Sequence, residues 1–147
     1  MASPLAQQGT LNRLRGSITF PDFPALNVTA PFLGPEGINV AFEGDSVENL
    51  GTMTGTVTSP APYQMATVEI ELLKSQPLSD QFKQQLETLA LIGSFVIRPD
   101  TTTLSNYQIL NGSIATAGPG RLNGSSVAYM VTLRGYYVVN GALFDAA

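Results

Sequence analysis

The stretch YQMATVEIELLKSQPLSDQFKQQLETLALIGSFVIR, residues 63–98, decides the fold, because its hydrophobic period changes twice. From Tyr63 to Leu73, Ala66, Val68, Ile70 and Leu72 alternate with Thr67, Glu69 and Glu71. Successive side chains of a strand point to opposite faces, so this is a strand with one apolar and one polar face. Leu78, Phe82, Leu86 and Leu89 then recur at helical spacing, with Gln81, Lys83, Gln84, Glu87 and Thr88 on the other side. Ser79 suits an N-cap, Asp80 the positive first turn and Gly93 the stop. A helix over about 79–92 follows. Ser94 to Arg98 returns to a strand, and Pro99-Asp100 turns the chain.

Working outward toward the N-terminus, Ile38, Val40 and Phe42 alternate with Asn39, Ala41 and Glu43, a second strand with the same two-sided character. Leu14, Gly16, Ile18 and Phe20 alternate with Arg13, Arg15, Ser17 and Thr19, a third. Between these two lie Pro21, Pro24, Pro31 and Pro35. Prolines at that density forbid a central strand and a helix, leaving a loop or an edge segment. Residues 45–62 are rich in Gly, Thr and Ser, and the threonines favour a protruding hairpin of weak intrinsic stability. Toward the C-terminus come strands over Tyr107–Thr116 and Val127–Val139, joined by the Gly118–Gly124 loop. Tyr129, Val131 and Leu133 share one face, and Tyr136 and Tyr137 face opposite ways. Gly135 marks a bulge or a close backbone approach. Asn140-Gly141 signals a turn. Residues 1–10 read as a flexible arm and 141–147 as a tail whose Leu143 and Phe144 need burial somewhere. The order is strands, one helix, strands, without repeat or linker. It predicts one domain over 1–147, mainly β, an antiparallel β-sandwich or barrel-like subunit with one flanking α-helix.

The chain has 147 residues, no His, no Cys and no Trp, and a formal charge of −4 from 7 Lys+Arg and 11 Asp+Glu. Histidine general bases, thiol nucleophiles, Cys/His zinc sites and disulfide scaffolds are excluded. The acidic balance opposes nucleic-acid binding, which needs a basic stripe to displace counterions. Only 12% of residues are charged, about half the usual share. Uncharged polar residues fill the gap: 14 Thr, 11 Ser, 8 Asn and 8 Gln. Charge is depleted where protein meets protein, so this surface suits assembly. No apolar run approaches the roughly 20 residues of a membrane span. The small, polar start, Met1 to Thr10, lacks the pattern of a signal peptide.

No catalytic, metal or cofactor constellation emerges. Glu69 and Glu71 share a strand face, but paired carboxylates without a flanking pocket read as a solvated face rather than an acid–base pair. Gly118-Pro119-Gly120-Arg121 lacks the ending of a phosphate loop and opens no helix. Arg134, in the longest strand, is expected to pair with a carboxylate.

Read as a whole, the chain resembles tail tube proteins of contractile-tailed bacteriophages, relatives of pyocin and secretion-system tubes. The likeness spans roughly residues 9–145 and lies in four stretches. These are LNRLRGSITFPDFPALNVTAPFLGPEGINVAFEG (11–44), TGTVTSPAPYQMATVEIELLKSQPLSDQF (54–82), VIRPDTTTLSNYQILNGSI (96–114) and VTLRGYYVVNGALF (131–144). It is a likeness of strand order and phrasing, with no short diagnostic motif. The resemblance implies a non-enzymatic virion subunit that forms homohexameric rings, whose sheets join into a continuous barrel. Rings stack by helical assembly into a hollow tube in the host cytoplasm. The implied partners are the chain itself, the tail sheath, the tape-measure protein, the baseplate hub and the tail terminator. DNA passes through the lumen without specific binding, and no cofactor or membrane insertion is implied. Within this reading Glu43, Thr67, Glu69 and Glu71 are the lumen candidates, together with the neighbouring Asn39 and Ala41. Leu50, Met53, Thr54, Leu143 and Phe144 are the candidates for subunit and ring contacts. The alternatives are another virion structural protein (a tail terminator or decoration protein) or a non-polymerising β-sandwich binding module.

Overall fold

The computed structural model describes residues 15–101 and 103–144, with the backbone alone at Phe144. The expected N-terminal arm, Arg13, Leu14 and residues 145–147 lie outside the described residues. The chain is mainly β, and its main sheet is a strongly curled antiparallel half-barrel. Eight strands run β1 (Gly16–Thr19), β2 (Leu33–Glu43), β3 (Val47–Gly51), β4 (Thr56–Pro60), β5 (Tyr63–Leu73), β6 (Leu91–Pro99), β7 (Tyr107–Gly118) and β8 (Ala128–Val138). Helix α1 spans Leu78–Thr88, and a helical turn, α2, spans Gly141–Phe144. The half-barrel has the order β1-β6-β7-β8-β5-β2, while β3 and β4 form a separate hairpin. Of sandwich and barrel, the two forms open on sequence grounds, the main sheet takes the second, curled and unclosed.

The alternation seen in the sequence sets the faces. Ala66, Val68, Ile70 and Leu72 of β5 and Tyr129, Val131 and Leu133 of β8 are buried together. They meet Ile18, Ile92, Phe95, Ile97, Ile109 and Ile114 in one core. Helix α1 closes that core with Leu78 and Phe82, the latter edge-on to Phe20 at 6.0 Å between ring centroids. Its opposite face, Gln81, Lys83, Gln84, Glu87 and Thr88, is exposed as expected. Burial, reinforced by the Asp80 and Glu87 carboxylates, pushes the Tyr129 phenol above its ordinary value.

Four local expectations change. The helix begins one residue before Ser79, and its N-cap position is Pro77. The Ser79 hydroxyl is buried and donates instead to the Leu73 carbonyl at 3.0 Å, because a buried hydroxyl takes whatever acceptor the fold supplies. The helix ends at Thr88, so Leu89 leaves the apolar stripe and is 48% exposed. Gly93 is no helix stop. It sits at an irregularity of β6 with φ 72°, and any side chain there would run into the Asp22 carboxylate. The proline-rich segment forms two 3-10 turns, Pro24–Leu26 and Ala30–Phe32, each with proline early in the turn, where no amide donor is needed.

The two edges of the half-barrel differ. The outer side of β1 is closed by the chain itself: Ile18 and Val28 exchange both backbone hydrogen bonds at 2.9 Å, and the Phe20 amide donates to the Asn27 side chain at 2.7 Å. Strand β2 pairs only with β5 among the described residues. Across its outer side a cleft lined by Gly34, Ile38 and Val40 faces Arg15, Gly16 and Ile97.

Candidate functional site

The lumen candidates lie on the face of the half-barrel opposite the core. Thr67 of β5 stands beside Ala41 of β2 and Arg134 of β8, and Glu69 stands between Asn39 and Thr132. Glu43, at the end of β2, lies next to Met65 in register and accepts a hydrogen bond from the Thr67 hydroxyl at 3.2 Å. Glu43 and Glu69 are exposed and Thr67 is half-buried. The structure therefore brings Glu43, Thr67 and Glu69 together, with Asn39 and Ala41, on one polar surface.

Glu71 departs from that set. It is only 6% exposed. Residues 34–37 of β2, where the β2–β5 register shifts, fold across it. The Glu36 amide donates to its carboxylate at 3.2 Å, and a side chain at Gly34 would come within 2.7 Å of it. Its expected solvated position is corrected: in this protein Glu71 ties down the irregular part of β2. We expect Glu71→Ala to destabilise the fold by about 1.5–3 kcal/mol, the usual worth of a hydrogen bond to a charged group, while Glu71→Gln keeps an acceptor and costs less. Thermal and urea unfolding measure both, and equal losses would remove the acceptor role.

Arg134 also differs from expectation. It is exposed, and the ion pairs among the described residues are Arg15–Asp100 at 3.0 Å and Lys83–Glu87 at 3.7 Å. Its register neighbours are Thr67 and Ser113, neither of them acidic. Arg134 thus places a cation in the polar face that sequence reading had treated as neutral to acidic. Toward the start of β5 the same face becomes apolar. Tyr63 and Tyr136 meet edge-on at 5.6 Å between ring centroids, and with Met65, Leu110 and Val138 they line a groove of about 960 Å³ that reaches Arg134. Sequence reading missed this groove, because its residues come from β5, β7 and β8 and become neighbours only through sheet register. Tyr137 points the other way, against Phe42 and Tyr107, as the strand parity of the tyrosine pair requires.

The contact candidates are exposed where they are described. Residues 45–62 contain the expected hairpin, closed by the Thr52 amide donating to the Gly55 carbonyl at 2.7 Å. Every residue of β3 is exposed, as are Met53 and Thr54 in its turn. Leu50 and Val57 face each other across the two strands, 46% and 53% exposed, and Met53 at the tip is fully exposed. Leu143 in α2 is 68% exposed. The side chain of Phe144 lies outside the described residues. Among the described residues there is no cluster of three His, Cys, Asp or Glu suited to a metal, and no helix long and apolar enough to cross a membrane.

No family model matches the chain, and no curated protein matches it. Among solved structures it is similar to the tube-terminating cap of the anti-feeding prophage, determined by cryo-EM, at 13% identity over 93% of this chain and 97% of that chain. The TM-score is 0.47, and a likeness of that degree carries no argument about function.

Proposed function

We propose that the chain is a structural subunit of a contractile-phage tail tube, acting as a homohexameric ring that stacks into a hollow conduit. The reading rests on the sequence resemblance, and the structural observation that supports it best is that the outer side of β2 has no strand partner among the described residues. An eleven-residue strand left unpaired on that side is an aggregation hazard in a monomer. Joining it to a neighbour in a closed ring turns the hazard into the interface, a heterologous contact in which β2 meets a different surface of the next subunit. The hairpin supports the same reading. A two-stranded hairpin with apolar residues on show is barely stable alone and gains from a covering neighbour. With Leu50, Met53, Thr54 and the Leu143 turn it supplies the ring-to-ring contacts. Glu43, Thr67 and Glu69 then face the lumen, where like charge repels passing phosphate over roughly 8 Å at physiological salt. The sheath, tape-measure protein, baseplate hub and terminator are the partners, and the particle is the virion.

Negative-stain electron microscopy of the purified protein tests the assembly. Rings stacked into tubes with a central channel are expected. A discrete monomer at high concentration counts against the proposal, and single rings that never elongate favour the tail-terminator reading. In virions carrying Glu43→Lys with Glu69→Lys, tubes should still form while DNA ejection falls at least tenfold. Ejection at the parent rate would sink the lumen assignment and leave the tube assignment standing.

A further inference from the structure

We propose that Asn140 is a two-handed latch that sets the direction in which the β3–β4 hairpin leaves the body of the subunit. Its side-chain nitrogen donates to the Ser46 carbonyl at 2.9 Å and to the Ala61 carbonyl at 2.8 Å. Ser46 is the residue before β3 and Ala61 the residue after β4, so one amide group holds both legs of the hairpin. None of the hairpin's residues belongs to the hydrophobic core or is among the partly buried hydrophobics packed against it. The other bonds at its base do less. The Ala61 amide donates to Ser46, which ties the legs to each other. Gln64 donates to Gly44 at 2.8 Å, and the Val139 amide to Pro62 at 3.2 Å, each reaching one side only.

The residue type fits the task narrowly. Holding two carbonyl oxygens needs two N–H donors on a short arm, which only a primary amide supplies without charge. Two acceptors facing the group also fix which end is nitrogen. The backbone of Asn140 has φ 53°, a left-handed conformation that asparagine tolerates and most residues do not. An aspartate would keep that backbone preference but turn lone pairs toward both carbonyls. The carbonyl of the same residue accepts from the Leu143 amide at 3.0 Å and so starts α2. Hairpin and C-terminal turn are therefore anchored on one residue. The latch belongs to the single subunit and does not depend on the tube reading.

The chain contains no cysteine, so spin labels can be placed freely. Met53→Cys at the hairpin tip and Thr88→Cys at the exposed end of α1 give one distance across the hinge. Double electron–electron resonance on labelled protein, diluted into unlabelled protein, should show one narrow distribution. Asn140→Asp and Asn140→Ala are expected to broaden it at least twofold. Asn140→Gly keeps the left-handed backbone and removes the amide but also frees the chain, so it is read together with Asn140→Asp, which removes both donors without freeing the backbone. Broadening in both variants, with the thermal midpoint of the core within a few degrees of the parent, supports the latch. A distribution as narrow as the parent's in either overturns it and assigns the hairpin's direction to the backbone turn.

Discussion

Phe82→Ala should lower stability by about 3–5 kcal/mol, the usual cost of truncating a fully buried phenylalanine. Phe82 is fully buried, packs edge-on to Phe20, and Phe20 in turn lies 5.4 Å from Phe95. These three rings join α1, the residue that follows β1, and β6. The helix has few other anchors: Leu78 is buried, Leu86 is half-buried, and Leu89 has left the interface. Removing the Phe82 ring therefore creates a cavity under a helix too short to hold itself. Denaturant unfolding followed by circular dichroism measures the effect as a fall in midpoint at unchanged slope. A loss below about 1 kcal/mol would mean that α1 is not held by this ring cluster.

Gly135→Val should be among the most damaging single changes in the sheet. A Cβ at Gly135 would lie 2.5 Å from the Ile109 methyl and 2.7 Å from the Leu110 carbonyl oxygen. The methyl can move, but the carbonyl belongs to the backbone of β7, the neighbouring strand, and cannot yield without breaking register. Overpacking typically costs about 1–3 kcal/mol, and a clash with backbone lies at or above the top of that range. Gly135→Ala already carries the offending atom and should show most of the loss. Gly118→Ala, in the same sheet but with open space around the added atom, serves as the control and should be nearly neutral. Loss of the near-ultraviolet tyrosine signal in the valine variant, with the Gly118 variant unchanged, is the expected pattern. Parent-like unfolding of Gly135→Val would show that β7 and β8 are not packed as described.

The readable parts of the fold were those carried by period. The apolar parity of β5 and β8 and the stripe Leu78-Phe82-Leu86 were visible because each repeats a local geometry several times. Gly135 was legible as a bulge or a close backbone approach, and the neighbouring Leu110 carbonyl makes it the second. Features that depended on one residue were not. Ser79 looks like a cap in any sequence, yet here a strand carbonyl reaches it first. Gly93 looks like a helix stop, but the helix had already ended. Glu71 has the same alternation as Glu69, and only the fold of residues 34–37 separates a buried tether from an exposed carboxylate.

The candidate site divides in the same way. That Glu43, Thr67 and Glu69 lie off the core followed from strand parity. That Arg134 stands beside Thr67, that Tyr63 and Tyr136 form an apolar groove, and that Asn140 grips both legs of the hairpin did not, since Asn140 lies 94 residues from Ser46 in the chain. The sequence by itself determined which residues face inward and which class of chemistry is absent, because period and composition are local and additive. Only the tertiary structure decided which exposed groups become neighbours, because sheet register and strand order bring together residues whose separation in sequence carries no signal of contact.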